Sequence, residues 1–200
     1  WIGYTNTIIN TVLGTLMNVF TTTLVAYPLA RKEFQGKGFY MFIFMFTMWF
    51  GGGLVPTYVL MSDLGLVNNR LAVLLTGLVS ISNMVVMRSF FRSSIPGDLH
   101  DAARVDGISD IGYLVKIVLP LSKAIFSVVT LYYAVAHWNA YFSAMIYLKD
   151  DAKQPLQVFL RRILVLAQQM AADPDSSELA VEMAYREQLI RYSVIVVSSA

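Results

Sequence analysis

The sequence predicts an all-α membrane protein, a polytopic bundle of helices, on three observations. The first is composition: of 200 residues, 56% are hydrophobic and 14% charged, with a mean hydropathy of +0.59. Soluble chains run at about 45–50% apolar and about 25% charged. The second is where the charge lies. Residues 1–30, 39–62, 71–87 and 124–148 contain no Asp, Glu, Lys or Arg. The third is length, because a helix needs about 20 apolar residues to cross a bilayer core, and these stretches meet or approach that. The same numbers exclude water-soluble enzyme folds. A net charge of +2 spread over loops of both signs gives no support for nucleic-acid binding. With no cysteine, disulfides and thiol chemistry are excluded.

The first span covers residues 3–30 and is rich in Thr and Asn, types that suit helix–helix contacts in lipid. A basic loop, 31–38, leads to the second span, 39–61. There Gly51-Gly52-Gly53 and Pro56 predict a kink or local unwinding, since glycine weakens a helix and proline removes a backbone bond. Its use is either flexing or close helix packing. A polar turn, 62–70, precedes the third span, 71–91. Residues 92–123 are amphipathic and mixed in charge, and the fourth span follows at 124–148. In the polar segment 149–187, Leu156, Phe159, Leu160, Ile163, Leu164 and Ala167 recur at helical spacing and predict a surface helix. A fifth span begins at Tyr192 and is cut off at Ala200. With no initial Met, this predicts a piece of a longer protein. The whole chain, 1–200, reads as one transmembrane domain, with a hairpin at 93–121 and a long polar segment at 149–187.

Lysine and arginine set the orientation. Arg31, Lys32 and Lys37 lie in one loop, and Arg88, Arg92, Arg104, Lys116 and Lys123 in or beside the stretch after span three. The turn between them holds only Arg70. The first two segments are therefore cytoplasmic, and 149–187 is extracytoplasmic.

The spans lack the carboxylates that ion-coupled carriers place within the membrane. His137 is the only ionisable candidate, with interhelical packing as its plainer role. The chain has no Gly-x-x-x-x-Gly-Lys-[Ser/Thr] loop, so energy from ATP must come from elsewhere. Polar groups in lipid need a cavity or a partner helix. His137, Trp138, Asn139 and Tyr141 near the end of the fourth span, and Asn83 with Ser80 and Ser82 in the third, are candidates for a translocation path. The alternative is hydrogen bonding between helices at a subunit interface.

In the cytoplasmic stretch, Pro96, Asp98 and Asp101 favour a helix start. Leu99, Ala102 and Ala103 share one face, and Gly107 ends the helix. A second helix carries Ile111, Leu114, Val115 and Val118 toward Leu119-Pro120, where the next span starts. Adjacent alanines allow another protein to approach the backbone closely. An ordinary connector lying on the membrane is the other reading.

The spacing Asp101-Ala102-Ala103, three residues, Gly107, nine residues, Ile117-Val118-Leu119-Pro120 resembles the EAA signature of ABC importer permeases. Asp101 stands where the family most often has Glu, keeping the charge with a shorter reach. The runs 88–96 and 133–141, Leu24 to Arg31, Gly51 to Tyr58 and Leu64 to Asn68 resemble the carbohydrate-uptake branch. That branch includes the maltose-permease-like and lipoprotein-oligosaccharide permeases and the alginate type. The resemblance covers nearly the whole chain. It implies a type I ABC importer permease fold with six core spans, of which this chain holds the second to the fifth and the start of the sixth. It implies a bacterial inner-membrane location and a second homologous permease in a heterodimer. Two ATPase subunits supplying ATP and Mg chemistry, an extracytoplasmic solute-binding protein and surrounding lipid complete the expected partners. No cofactor is expected in this chain. Asp101, Ala102, Ala103, Gly107, Leu119 and Pro120 would couple it to the ATPases. Arg161 and Arg162, in a loop that in the maltose type reaches toward the binding protein, would help dock it. Import of a non-sugar solute is the first alternative. A secondary carrier or a membrane scaffold is the second.

Overall fold

A computed structural model describes residues 1–171, with side chains described to residue 165. The expected start of a span at Tyr192 and the acidic run Asp173, Asp175, Glu178, Glu182 and Glu187 lie outside the described residues. Helices are the only regular secondary structure among the described residues. Among them, one helix alone is long and apolar enough to cross a membrane, α1 (Ile2–Ala30).

Helix α1 turns its apolar side outward. Ile8, Val12, Leu16, Phe20 and Leu24, each four residues from the last, are exposed. Asn6, Asn10, Gly14, Asn18 and Thr22, at the same spacing, are buried. A helix in water shows the reverse pattern; in lipid, small and polar side chains form the contacts between helices. Several threonines need no partner on another helix. Thr7 donates to the Gly3 carbonyl at 2.9 Å, Thr21 to Met17 at 2.8 Å and Thr23 to Val19 at 2.6 Å.

The second expected span is two helices, α2 (Lys37–Trp49) and α3 (Leu54–Asp63), bent by 110°. The break is sharper than a kink. Gly53, at φ 87° and ψ 172°, turns the chain in a region open only to glycine. Pro56 plays no part in breaking the helix. It falls in the first turn of α3, where its missing N–H would have had no partner.

The third expected span is also divided, into α4 (Arg70–Leu75) and α5 (Ile81–Ser94). Gly77 has φ 81°, and the Ser80 side chain caps α5 by accepting from the Asn83 amide. The cap explains a hydroxyl read from sequence as a path residue. A short helix α6 (Gly97–Val105), then α7 (Asp110–Tyr113), a wide turn over Leu114–Val118 and α8 (Leu119–Leu121) make the hairpin. The chain bends by 84° at Ser122 into α9 (Lys123–Trp138). The fourth span thus begins after the bend, just beyond Pro120. Helix α10 (Phe142–Tyr147) and a single turn at Asp151–Lys153 precede the amphipathic α11 (Leu156–Ala171), the surface helix expected from spacing.

Two cores result. Ala26, Leu29, Met87, Phe91, Ala103, Tyr113, Val118 and Val129 join the hairpin to α1, α5 and α9. Met61, Ala72, Val73, Tyr147, Leu148 and Val158 form the core at the opposite end. Helix α1 is the axis of the bundle and packs most closely on α9 and α5. His137 of α9 fits over Gly14, where an added Cβ would stand 2.5 Å from the ring. One end of α9 is further fixed by a 2.6 Å hydrogen bond between the Thr22 and Tyr133 hydroxyls.

Candidate functional site

The hairpin is closed by a glycine-dependent turn. Gly107 has φ 73°; its N–H donates to Arg104 at 3.1 Å, and the Ile108 N–H donates to Ala103 at 2.9 Å. This paired return satisfies the last carbonyls of α6 and needs a left-handed residue after the cap. Ser109 caps the second helix by accepting from the Gly112 amide at 3.2 Å.

Two faces of α6 differ. His100 and Ala103 point into the protein's own core. Leu99 and Ala102 point outward, Val105 is 88% exposed, and Ile111 across the turn is 76% exposed. The expected common face of Leu99, Ala102 and Ala103 is therefore split, because Ala103 lies one residue round from Ala102 and Tyr113 and Leu114 cover it. Asp101, Ala102 and Gly107 are on the surface. Leu119 is half-buried at the elbow before Ser122, and Pro120 beside it is exposed.

A polar cluster at the base of the hairpin was not legible in the sequence. Arg31 caps the end of α1 and is 18% exposed. Its guanidinium donates to the Tyr27 hydroxyl at 2.7 Å, to Glu33 at 3.3 Å and to the His100 ring, and pairs with Asp110 at 3.2 Å. The His100 ring meets Tyr113 edge-on at 5.1 Å. Asp101 and Glu33 carboxylates stand 3.8 and 4.0 Å from His100 Nδ1. A hydrogen bond from its own backbone, and then the Arg31 guanidinium, hold the Glu33 carboxyl below its ordinary range. Beside this cluster lies a cavity of about 320 Å³ lined by Arg31, Arg92, Ser93, Pro96, His100 and Tyr113, among others. The participants come from positions as far apart as 31 and 110, so no local spacing could have disclosed them.

The path candidates do not converge on one cavity. His137 is packed on Gly14 with its Nε2 unpartnered among the described residues. Trp138 stands edge-on to Tyr4 at 5.9 Å and shares a groove of about 240 Å³ with Asn139 and Thr11. The Asn139 amide returns to the Val135 carbonyl at 2.9 Å, closing the end of α9. Asn83 is half-buried on the first turn of α5. Tyr141 lies under the Arg161 guanidinium, 5.3 Å from the ring centre.

The two arginines of α11 differ in freedom. Arg162 is bound to Asp151 and Gln154, both at 3.1 Å. Arg161 is exposed, with its guanidinium against the Tyr141 ring. The start of the segment, at residues 152–154, is clamped to α1. The Asn6 amide donates to the Ala152 and Gln154 carbonyls at 2.8 and 3.1 Å and accepts from Arg70 at 2.6 Å.

A helical bundle that turns apolar side chains outward and projects a two-helix hairpin is the architecture of a membrane-embedded protein. Over residues 2–170 the chain belongs to the family of binding-protein-dependent transport system inner membrane components. It is 39% identical over 189 residues to the polygalacturonan/rhamnogalacturonan transport system permease protein YtcP of Bacillus subtilis, covering 94% of this chain and 65% of that protein. Protein LplC of the same organism is 37% identical over 189 residues, 94% of this chain and 63% of that protein. A crystal structure of a bacterial ABC transporter involved in the import of the acidic polysaccharide alginate superposes with a TM-score of 0.85. Its identity is 34%, and the match covers 99% of this chain and 69% of that one. The chain thus spans less than the full length of these relatives, and its place is the bacterial inner membrane.

Proposed function

We propose that the whole protein is the permease subunit of an ATP-driven, binding-protein-dependent importer of oligosaccharides, those bearing carboxylates first among them. A second permease completes the pathway, two ATPase subunits supply ATP and Mg chemistry on the cytoplasmic side, and a solute-binding protein delivers substrate from outside. The outward face of the hairpin carries the reading: Leu99, Val105 and Ile111 make it apolar, with the small Ala102 among them, on a structure rooted in the protein's own core. Such a patch lets a partner groove approach the backbone, and motion there passes to the spans as rigid-body displacement. Asp101, Ala102 and Gly107 supply its surface, Ala103 its root, and Leu119 and Pro120 the elbow toward α9. The kinds of relatives named above support the sugar substrate. The exposed Arg161 on Tyr141 gives the extracytoplasmic face a cation beside an aromatic ring, suited to orienting an acidic partner.

The test is Ala102→Glu and Leu99→Glu in the full-length protein, expressed with its partner subunits and purified through a tag on the permease. Loss of ATPase co-purification with retained second permease is expected. Normal ATPase recovery and normal uptake of an oligouronide in both variants would refute the reading.

A further inference from the structure

The hairpin must be held firmly if it is to transmit motion, yet among the described residues no element lies closely alongside α6. Its start is fixed by a two-residue link, Ile95-Pro96, from α5. The rest is held by two inward side chains, Ala103 in the core and His100, which is 7% exposed. His100 reaches Arg31, and Arg31 belongs to the end of α1. The same guanidinium holds Asp110 at the start of the second hairpin helix, at 3.2 Å. The Tyr27 hydroxyl adds a bond to the Asp110 carbonyl at 3.2 Å. Tyr27 and Tyr113 flank the guanidinium carbon at 5.6 and 5.8 Å, so its faces as well as its edges are occupied. From the other side, Arg88 of α5 donates to the Leu29 carbonyl at 3.0 Å.

One planar group therefore ties both hairpin helices to α1. Arginine suits this because its donors are fixed in a fork and lose little freedom per bond made. Lysine would offer a compact point charge on a flexible stem, without the rigid planar fork that fixes the directions of the bonds. A hydrogen bond from a charged donor is among the stronger polar ties, and leaving one side buried and unmatched is costly.

We propose that Arg31 and His100 are positioning residues that form a strut, so that the hairpin and the cytoplasmic end of α1 move as one body during transport. This rests on the hairpin being the ATPase contact. The strut makes a distinct claim, that ATP hydrolysis and substrate movement are kept in step through this one joint.

The experiment uses the full-length permease with its partner permease, ATPases and binding protein in proteoliposomes. It measures uptake per ATP hydrolysed, together with amide exchange over residues 97–105. The variants are His100→Ala, Arg31→Ala, their double and His100→Gln. With assembly retained, uptake per ATP is expected to fall by about tenfold in each single variant, the scale of one charged hydrogen bond. The double should be no worse, and amides of 97–105 should exchange faster. His100→Gln, whose amide oxygen still accepts from Arg31, should recover most of the ratio, a rescue that a packing role alone does not give. An unchanged ratio in His100→Ala, a double variant that multiplies the two losses, or a His100→Gln as poor as His100→Ala would overturn the strut. If Ala102→Glu leaves ATPase co-purification intact, the docking reading fails instead. Exchange over 97–105 then decides the strut alone: unchanged exchange in His100→Ala refutes it.

Discussion

Gly14→Ala tests the packing that makes α1 the axis. An alanine Cβ at this position would stand 2.5 Å from both Cε1 and Nε2 of His137 and 2.8 Å from Nδ1. Carbon contacts settle at about 3.5–4.0 Å, so the ring must retreat by about 1 Å. It has little room, since the Tyr133 hydroxyl one turn away is bonded to Thr22 at 2.6 Å and Tyr133 itself is buried. Overpacking of this size costs about 1–3 kcal/mol. Alanine returns about 1 kcal/mol through helix propensity. The expected net loss is up to about 2 kcal/mol, read as a lower midpoint of thermal unfolding for the purified assembly in detergent. In a His137→Ala background the same change should cost nothing, and the difference between the two backgrounds isolates the contact. An equal change in both backgrounds would refute the reasoning.

Other outcomes follow from the same geometry. Gly53→Ala should destabilise by about 1–3 kcal/mol because of its backbone angles, while Gly51→Ala and Gly52→Ala, with open space around them, should leave unfolding midpoints unchanged. Asn6→Ala breaks the clamp on Ala152, Gln154 and Arg70, and limited proteolysis should then cut residues 149–156 faster. Arg161→Glu should reduce binding-protein-stimulated ATPase activity and its salt dependence. Arg162→Glu, which loses Asp151 and Gln154, should chiefly loosen the segment, as amide exchange would show.

Much of the fold was legible because lipid as solvent leaves a strong mark. Charge-free runs located the helical stretches, of which α1 alone runs unbroken through its expected span; the Asn and Thr residues of α1 announced a helix buried by its polar side, and the spacing from Leu156 to Ala167 located α11. The breaks were harder. Gly51 to Gly53 announced one, but the 110° turn depends on Gly53 alone. The break at Gly77 was missed because residues 71–87 stay apolar across it; Gly77 with Ser80 as a following cap was the available signal. At the hairpin, motif spacing found Gly107 and the exposed Ala102, but adjacent alanines on a helix lie about 100° apart. One therefore faces outward and the other the core. Arg31 was read as a topological charge, and its structural work became visible only when His100 and Asp110 were brought beside it.

The proposed function requires the hairpin's outward face to meet the ATPase. These 200 residues contain no cysteine, so single cysteines at Ala102 and Ala103, in a full-length permease with any cysteine elsewhere replaced, give a clean comparison. Cross-linking to the ATPase in inner-membrane vesicles, with and without ATP, is the direct measurement. The account predicts an ATP-sensitive cross-link from Ala102→Cys and little from Ala103→Cys, whose native side chain is 3% exposed. No cross-link from Ala102→Cys, or equal yields from both positions, would contradict it.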